Sequence, residues 1–297
     1  MYHKPVMLQE CIDALNIRPN GIYVDATFGG GGHAKAILEH LSDGKLFAFD
    51  RDPDAIARHT GDERLTLIQQ DYRYMLHYLT FHRAIPVDGI LADLGISSHQ
   101  IDRPERGFST RYEAQLDMRM DQKGARTAAD LLNRASLEEL SHLFKQYGEV
   151  KNAYNLAKKI VATRNHTPIT TTQQLNEIAA PFSPKKNPSK YLAQVYQALR
   201  IEVNDELNGL KELLRQAEQV LAKGGRLVLM SYHSLEDRLV KNFLKTGNFE
   251  GVLQKDFFGN VIAPFQATQG RVITASEEEV AENPRSRSAR LRIGVKQ

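Results

Sequence analysis

VDATFGGGGHAKAI, residues 24–37, joins one apolar run to another through four consecutive glycines. Upstream, IYVDATF (22–28) has the composition of a short buried strand; downstream, HAKAILEHL carries apolar residues at helical spacing. The same alternation continues outward from this junction. KLFAFD (45–50), LTLIQQD (65–71) and DGILADLGI (88–96) read as strands, with DPDAIARHT and YMLHYLTFH as helices between them. Strand alternating with helix predicts a parallel sheet covered on both faces. From about Thr127 to Phe182 the pattern changes. TAADLLNR, SLEELSHLFKQYG and YNLAKKIVATR read as helices, with Ser136 and Glu139 spaced as a capping box and no strand among them. PFSPKKNPSK (181–190) reads as a loop, followed by helical YLAQVYQALRIEV and DELNGLKELLRQAEQVLAKGG. GGRLVLMSY (224–232) returns as a buried strand and SLEDRLVKNFLK as a helix, with RVITA and ARLRIGV as a closing strand pair. FGNVIAPFQATQG and the acidic EEEV read as surface loop. The expectation is an α/β domain in two pieces, 1–102 and 206–297, interrupted by a helical insertion over 103–205.

Composition sets the outer bounds. The chain has 297 residues, 41% hydrophobic and 25% charged, which is ordinary for a globular protein with a sizeable core. No apolar run reaches the roughly 18 residues a membrane span needs, and MYHKPVMLQECIDAL lacks a signal peptide's apolar segment, so a cytoplasmic location without membrane contact is expected. The single cysteine, Cys11, excludes an internal disulfide and a cysteine-based zinc cluster, and is expected to be a small buried residue. A net charge of +3 permits a nucleic-acid partner without demanding one.

Glycines after a first strand let the chain turn tightly and bring backbone N–H groups close to a ligand. A phosphate-binding P-loop is excluded because no GK[ST] occurs. The dinucleotide pattern GxGxxG also fails, since its third glycine would fall on Lys35 or Ala34. What remains is an acid before the turn and glycines after it, Asp25-Ala-Thr-Phe-Gly29-Gly-Gly31. This resembles the first motif of class I S-adenosylmethionine-dependent methyltransferases, whose Rossmann-like sheet the strand pattern would supply. Asp50, ending LFAFD, stands where an acid can accept hydrogen bonds from both ribose hydroxyls, although Asp52 before Pro53 is better placed to cap the following helix. Asp71 and Tyr72, at the third strand end, are placed to bracket the adenine. Asp93 and Gly95 follow the fourth strand, at the catalytic position.

Several stretches, taken in order, extend the resemblance over the whole chain. They are HKPVML (3–8), DATFGGGGH (25–33), DLGISSHQID (93–102), ERGFS (105–109), LDMRMD (116–121), YGE (147–149), QALRIEVNDEL (197–207), GGRLVLMSYHSLEDR (224–238) and NPRSRSARLR (283–292). Together they are similar to the bacterial small-subunit ribosomal RNA (cytosine-N4) methyltransferase family, the RsmH or MraW type. The resemblance implies methyl transfer from S-adenosylmethionine to the exocyclic N4 of a cytidine in the decoding region of 16S rRNA, within the small ribosomal subunit. It carries the cofactor-binding roles onto Gly31, Gly32, His33, Asp50, Tyr72, Asp93 and Gln100. Tyrosine stands at 72 and in SYHSLEDR where phenylalanine is usual in such proteins, and each added hydroxyl needs a partner if buried. DNA amino-methyltransferases are the next reading, disfavoured because Asp93-Leu-Gly-Ile replaces their Asp/Asn-Pro-Pro-aromatic motif. A non-catalytic assembly factor that uses the cofactor only as an effector is a third.

Within the leading reading Asp93 is the candidate catalytic residue, placed to receive a proton from the acceptor amine, with binding of the cofactor as its alternative role. His233 is a candidate for the cytidine pocket, while Ser234 and Asp237 have the spacing of a helix cap. No metal is expected, because one histidine without an ordered ligand set does not make a site. Positive charge for RNA comes from Arg285, Arg287, Arg290 and Arg292, with Arg103, Arg106, Arg111 and Arg119 near the fourth strand. Of these Arg119, Arg285 and Arg287, with His233, are the substrate candidates. The helical insertion is expected to form a wall that selects folded RNA by shape. A homodimer is left open.

Overall fold

The computed structural model describes residues 5–57, 61–124, 126–267 and 272–297. His3 and Lys4 of HKPVML, the end of DPDAIARHT at 58–60 and Arg271 of RVITA lie outside them. The chain forms two compact units, Met1–Gly95 with Leu207–Gln297, and Ile96–Glu206. The helical segment thus starts at residue 96, ahead of the expected 103, because the short helix at Ser98–Asp102 belongs with the helices that follow.

The first unit follows the alternation read from the sequence: α1 (Leu8–Leu15), β1 (Ile22–Asp25), α2 (Gly32–His40), β2 (Lys45–Asp50), α3 (Pro53–Ile56), β3 (Leu65–Gln69), α4 (Met75–Phe81) and β4 (Val87–Asp93). After the helical unit come α11 (Glu206–Val220), β5 (Leu221–Ser231), α12 (Ser234–Thr246), β6 (Phe265–Ala267), α13 (Glu277–Glu282) and β7 (Arg290–Lys296). The seven strands lie in the order β3-β2-β1-β4-β5-β7-β6. β1 to β5 pair with one another in parallel, and β7 runs antiparallel between β5 and β6.

Successive strand residues face opposite sides of the sheet, and both sides are covered. Phe47, Phe49, Ile90, Ala92, Leu227 and Leu229 enter one core with Leu210, Leu213 and Leu214 of α11. Their neighbours Leu46, Ala48, Leu91, Val228 and Met230 enter the other, with Cys11 and Leu15 of α1 and Ile37 of α2. Near-continuous apolar strands are the expected signature of that arrangement. Cys11 is buried, as its composition-based reading anticipated.

Three readings are corrected here. FGNVIAPFQATQG is not all loop, since Phe265–Ala267 is the edge strand β6 paired with β7. Among its described residues RVITA contributes only an isolated bridge, Ile273 to Leu291. EEEV is helical, with the Ser276 hydroxyl capping α13 and Glu279 Oε1 accepting the Met7 N–H at 2.7 Å.

The second unit holds α5 (Ser98–Asp102), α6 (Ala128–Arg134), α7 (Leu137–Gln146), α8 (Ala153–Arg164), α9 (Thr172–Ala179) and α10 (Pro188–Asn204). Its core comprises residues such as Leu131, Leu140, Phe144, Leu156, Ile160, Leu175, Val195 and Leu199. Ser136 and Glu139 form the expected capping box, and Thr127, Thr171 and Ser97 build three more. α10 begins inside the stretch read as loop, with Pro188 in its first turn and Asn187 as cap, a start the proline itself favours.

Candidate active site

In an open parallel sheet the ligand crevice lies beyond the carboxyl ends of the strands, where the strand order reverses. Here the order reverses between β1 and β4, and an aspartate ends each of β1, β2 and β4: Asp25, Asp50 and Asp93. The turn after β1 binds these ends together. Asp25 Oδ1 accepts the Thr27 N–H (3.0 Å), and Thr27 Oγ1 accepts the Asp93 N–H (2.6 Å). Phe28 N–H donates to the Phe49 carbonyl (2.9 Å), and Gly29 N–H to Asp50 Oδ2 (2.8 Å).

The two glycines carried over as cofactor residues have different local reasons. Gly31 has φ of 75°, a left-handed conformation that a side chain would strain, and a Cβ there would sit 2.9 Å from the Phe28 ring. Gly32 has no such dihedral; a Cβ would lie 2.2 Å from Cγ of Pro5, so the N-terminal segment packs against it. His33, in the first turn of α2, is 7% exposed and therefore part of the interior. Its Nε2 donates to the Val6 carbonyl (3.1 Å).

Burial dominates the electrostatics. It pushes Asp25 up to about 6, with His33 opposing the shift. Asp25 Oδ2 is buried and has no hydrogen-bond partner among the described residues. Asp50 is likewise raised by burial, against the N–H groups of Asp52 and Gly29 that its two oxygens accept. Asp93 is raised by burial, while His33 and the Tyr232 hydroxyl oppose the shift. That hydroxyl donates to Asp93 Oδ1 at 2.7 Å. Burial, reinforced by Asp93, pushes the Tyr232 phenol far above its ordinary range, so it stays a donor.

Elsewhere the assignments divide. Asp71 caps the turn Tyr72–Tyr74 through the Arg73 N–H and pairs with Arg51 at 3.1 Å, so its charge is already answered within the chain. Tyr72 packs on the core beneath β2 and β3, with its hydroxyl against Gly209 of α11. Asp52 caps α3 as expected. The α12 cap is His233, not Ser234: its Nδ1 accepts the Glu236 N–H (3.4 Å), and Nε2 lies 3.2 Å from Glu236 Oε1. Asp237 instead receives Arg290 (2.9 Å) and Arg292 (2.7 Å), which ties those two arginines to the fold.

Arg285 and Arg287 lie in the short turn Pro284–Ser288 that leads into β7. Because Arg290 of β7 pairs with Ser231 at the end of β5, that turn enters at the carboxyl edge of the sheet. Arg287 is exposed and Arg285 half-buried there. In the helical unit Arg119 is held by Asp117 through two hydrogen bonds (2.8 and 2.7 Å) and donates to the Gly124 carbonyl. Arg106 is buried, donating to the carbonyls of Arg119 and Met120. Gln100 is buried in the capping box of α5, where its side chain accepts the Ser97 N–H.

The edge fits S-adenosylmethionine. A buried acceptor without a donor, Asp25 Oδ2, suits the cofactor's amine, Asp50 retains unused lone pairs for paired hydroxyls, and Gly31 opens the turn between them. Sequence reasoning missed two of these features. Asp25 is legible in the sequence only as the acid before the glycine turn, because its orphaned oxygen is visible only in three dimensions, and the Tyr232–Asp93 bond depends on strands β4 and β5 being neighbours.

A family model described as the MraW methylase family matches residues 1–297. The chain is 56% identical over 295 residues to ribosomal RNA small subunit methyltransferase H of Amoebophilus asiaticus, covering 99% of this chain and 95% of that protein. The protein of the same name from Flavobacterium johnsoniae is 53% identical over 296 residues, covering 99% and 98%. That from Cytophaga hutchinsonii is 53% identical over 299 residues, covering 100% of each.

Proposed function

The chain belongs to the MraW methylase family, which makes it an S-adenosylmethionine-dependent methyltransferase, and on that premise we propose that it methylates the exocyclic N4 of a cytidine in the decoding region of 16S rRNA within the small ribosomal subunit. The reading rests on end-to-end similarity to relatives named as small-subunit ribosomal RNA methyltransferases. The three strand-end aspartates support it.

When bound, the cofactor supplies an electrophilic methyl group on a sulfonium. Asp50 would hold the ribose hydroxyls and Asp25 the amine, while the Gly31 turn keeps the backbone close. The acceptor is a poor nucleophile because its lone pair is delocalised into the cytosine ring. Asp93 answers that weakness: one oxygen is engaged by Tyr232 and the other is left to take the N4 proton as the new bond forms. His233 and the arginines at 285 and 287 stand at the same sheet edge to receive RNA. Arg119 serves the substrate indirectly, by holding its loop through Asp117.

The test uses purified protein, isotopically labelled S-adenosylmethionine and unmodified small subunits, with free rRNA in parallel, followed by nucleoside mass spectrometry. N4-methylcytidine formed from subunits is the expected product, with little from free rRNA if shape is read. Cofactor binding with no labelled nucleoside from either would overturn the reading in favour of an assembly role.

A further inference from the structure

β4 and β5 are parallel neighbours, with Asp93 opposite Met230. Tyr232, two residues beyond Met230, therefore reaches Asp93 across the mouth of the sheet, and its hydroxyl donates to Oδ1 at 2.7 Å. The backbone of Asp93 is fixed separately by the Thr27 hydroxyl at 2.6 Å. Both the main chain and one carboxylate oxygen are thus tied to neighbouring strands.

We propose that Tyr232 is a positioning residue for methyl transfer: its hydroxyl holds Asp93 through Oδ1 and so sets Oδ2 as the oxygen that takes the proton from the acceptor amine. The proposal rests on the assignment of a cytidine amine as acceptor. In the step, the N4 lone pair forms the N–CH3 bond and the S–CH3 bond breaks with its electron pair left on sulfur. One N4 proton passes to Asp93 Oδ2.

The charged surroundings make the hydroxyl consequential. Glu236 from α12, Asp25 from β1 and Cys11 from α1 interact with Asp93 as acidic groups, and His33 from α2 is the basic one. Burial already favours the protonated carboxyl, which cannot accept a proton. The Tyr232 bond opposes that tendency. Without the hydroxyl, Asp93 would protonate at higher pH and would be free to rotate.

Tyr232→Phe keeps the ring and removes only the donor, and its comparison with Asp93→Asn and the double variant isolates the pair. In the substrate-free protein, side-chain carbon NMR should show Asp93 titrating at higher pH in Tyr232→Phe than in the parent. Single-turnover methylation by Tyr232→Phe should fall on the order of tenfold, with the loss growing as pH falls, because an untethered Asp93 is both misaligned and protonated at higher pH. Cofactor affinity at pH 8.5 should be unchanged within about twofold, and the double variant no slower than Asp93→Asn. An unmoved Asp93 titration, or a drop that is equal at all pH values and additive with Asp93→Asn, would overturn the proposal. If the parent forms no N4-methylcytidine, the assignment of substrate fails, yet the carbon titration still decides whether Tyr232 acts on Asp93.

Discussion

With Oδ1 bonded to the Thr27 N–H and Oδ2 buried without a partner among the described residues, Asp25 is a poor place for a negative charge. Burial accordingly pushes it up to about 6, against an unfolded value of about 3.9. A folded pKa above the unfolded one means the folded state holds more protons between those values. Its contribution to stability is therefore greatest below about pH 4 and is lost as pH rises toward 6. Removing the carboxyl should remove that slope. Between pH 4 and pH 7 the unfolding free energy of Asp25→Asn, relative to the parent, should shift in the variant's favour by about 2 kcal/mol. Any pH-independent cost of the buried amide cancels from this difference. Urea denaturation at pH 4, 5.5 and 7 measures it, and parallel curves for the two proteins would show that another group carries the slope. The same variant should bind S-adenosylmethionine on the order of tenfold more weakly at pH 7, since the orphaned acceptor is lost. Destabilisation relieved by a ligand is how a strained site differs from a packing residue.

The turn between β1 and α2 concentrates this chemistry in a backbone that only glycine permits. Gly31→Ala meets both a left-handed φ of 75° and the Phe28 ring at 2.9 Å, whereas Gly224, at the opposite end of β5, has φ of 79° and nothing within 4 Å. Gly224→Ala should therefore cost roughly 1–2 kcal/mol and leave cofactor affinity alone. Gly31→Ala should cost more and weaken cofactor binding at least about tenfold, because Phe28 and the turn must move. Calorimetry on both variants tests this; equal affinities would mean that the turn does not hold the cofactor. This element was legible in the sequence because an apolar run ending in an acid, then glycines, then helical spacing has few other solutions. β2 was legible for the same reason, and its bounds, Lys45–Asp50, are those of the quoted run KLFAFD. β6 was not, since three residues at a sheet edge show no period. α13 lacks an apolar stripe and is held by its Ser276 cap and by Glu279 reaching Met7. The cap of α12 was misplaced by one residue because histidine is a rare cap and Ser234 a common type. The arginines looked alike as sequence, yet Asp237 and Asp117 engage three of them through contacts that residue order does not reveal.

Each of the two units has a core of its own, and the helical one depends on a buried polar knot. Asn204, at the end of α10, accepts the Met120 N–H (2.8 Å) and donates to the carbonyls of Met118 (2.7 Å) and Arg200 (2.9 Å). It thereby ties the loop before α6 to the last helix of the unit, a link between residues 118 and 204 that apolar packing does not specify. Asn204→Ala removes these bonds from a site 5% exposed, and a buried network broken on one side costs on the order of 3 kcal/mol. If the units open separately, amide hydrogens of α7 and α8 should exchange about a hundredfold faster in Asn204→Ala. Those of β2 and β4 should keep the parent's rates, and so should cofactor affinity at the strand ends. Hydrogen exchange read by mass spectrometry distinguishes the cases: equal acceleration in both units would mean that the chain opens as one cooperative body, with the division into two cores geometric but not energetic. The separate outcome would leave the helical unit free to vary in stability while the strand-end carboxylates stay in place.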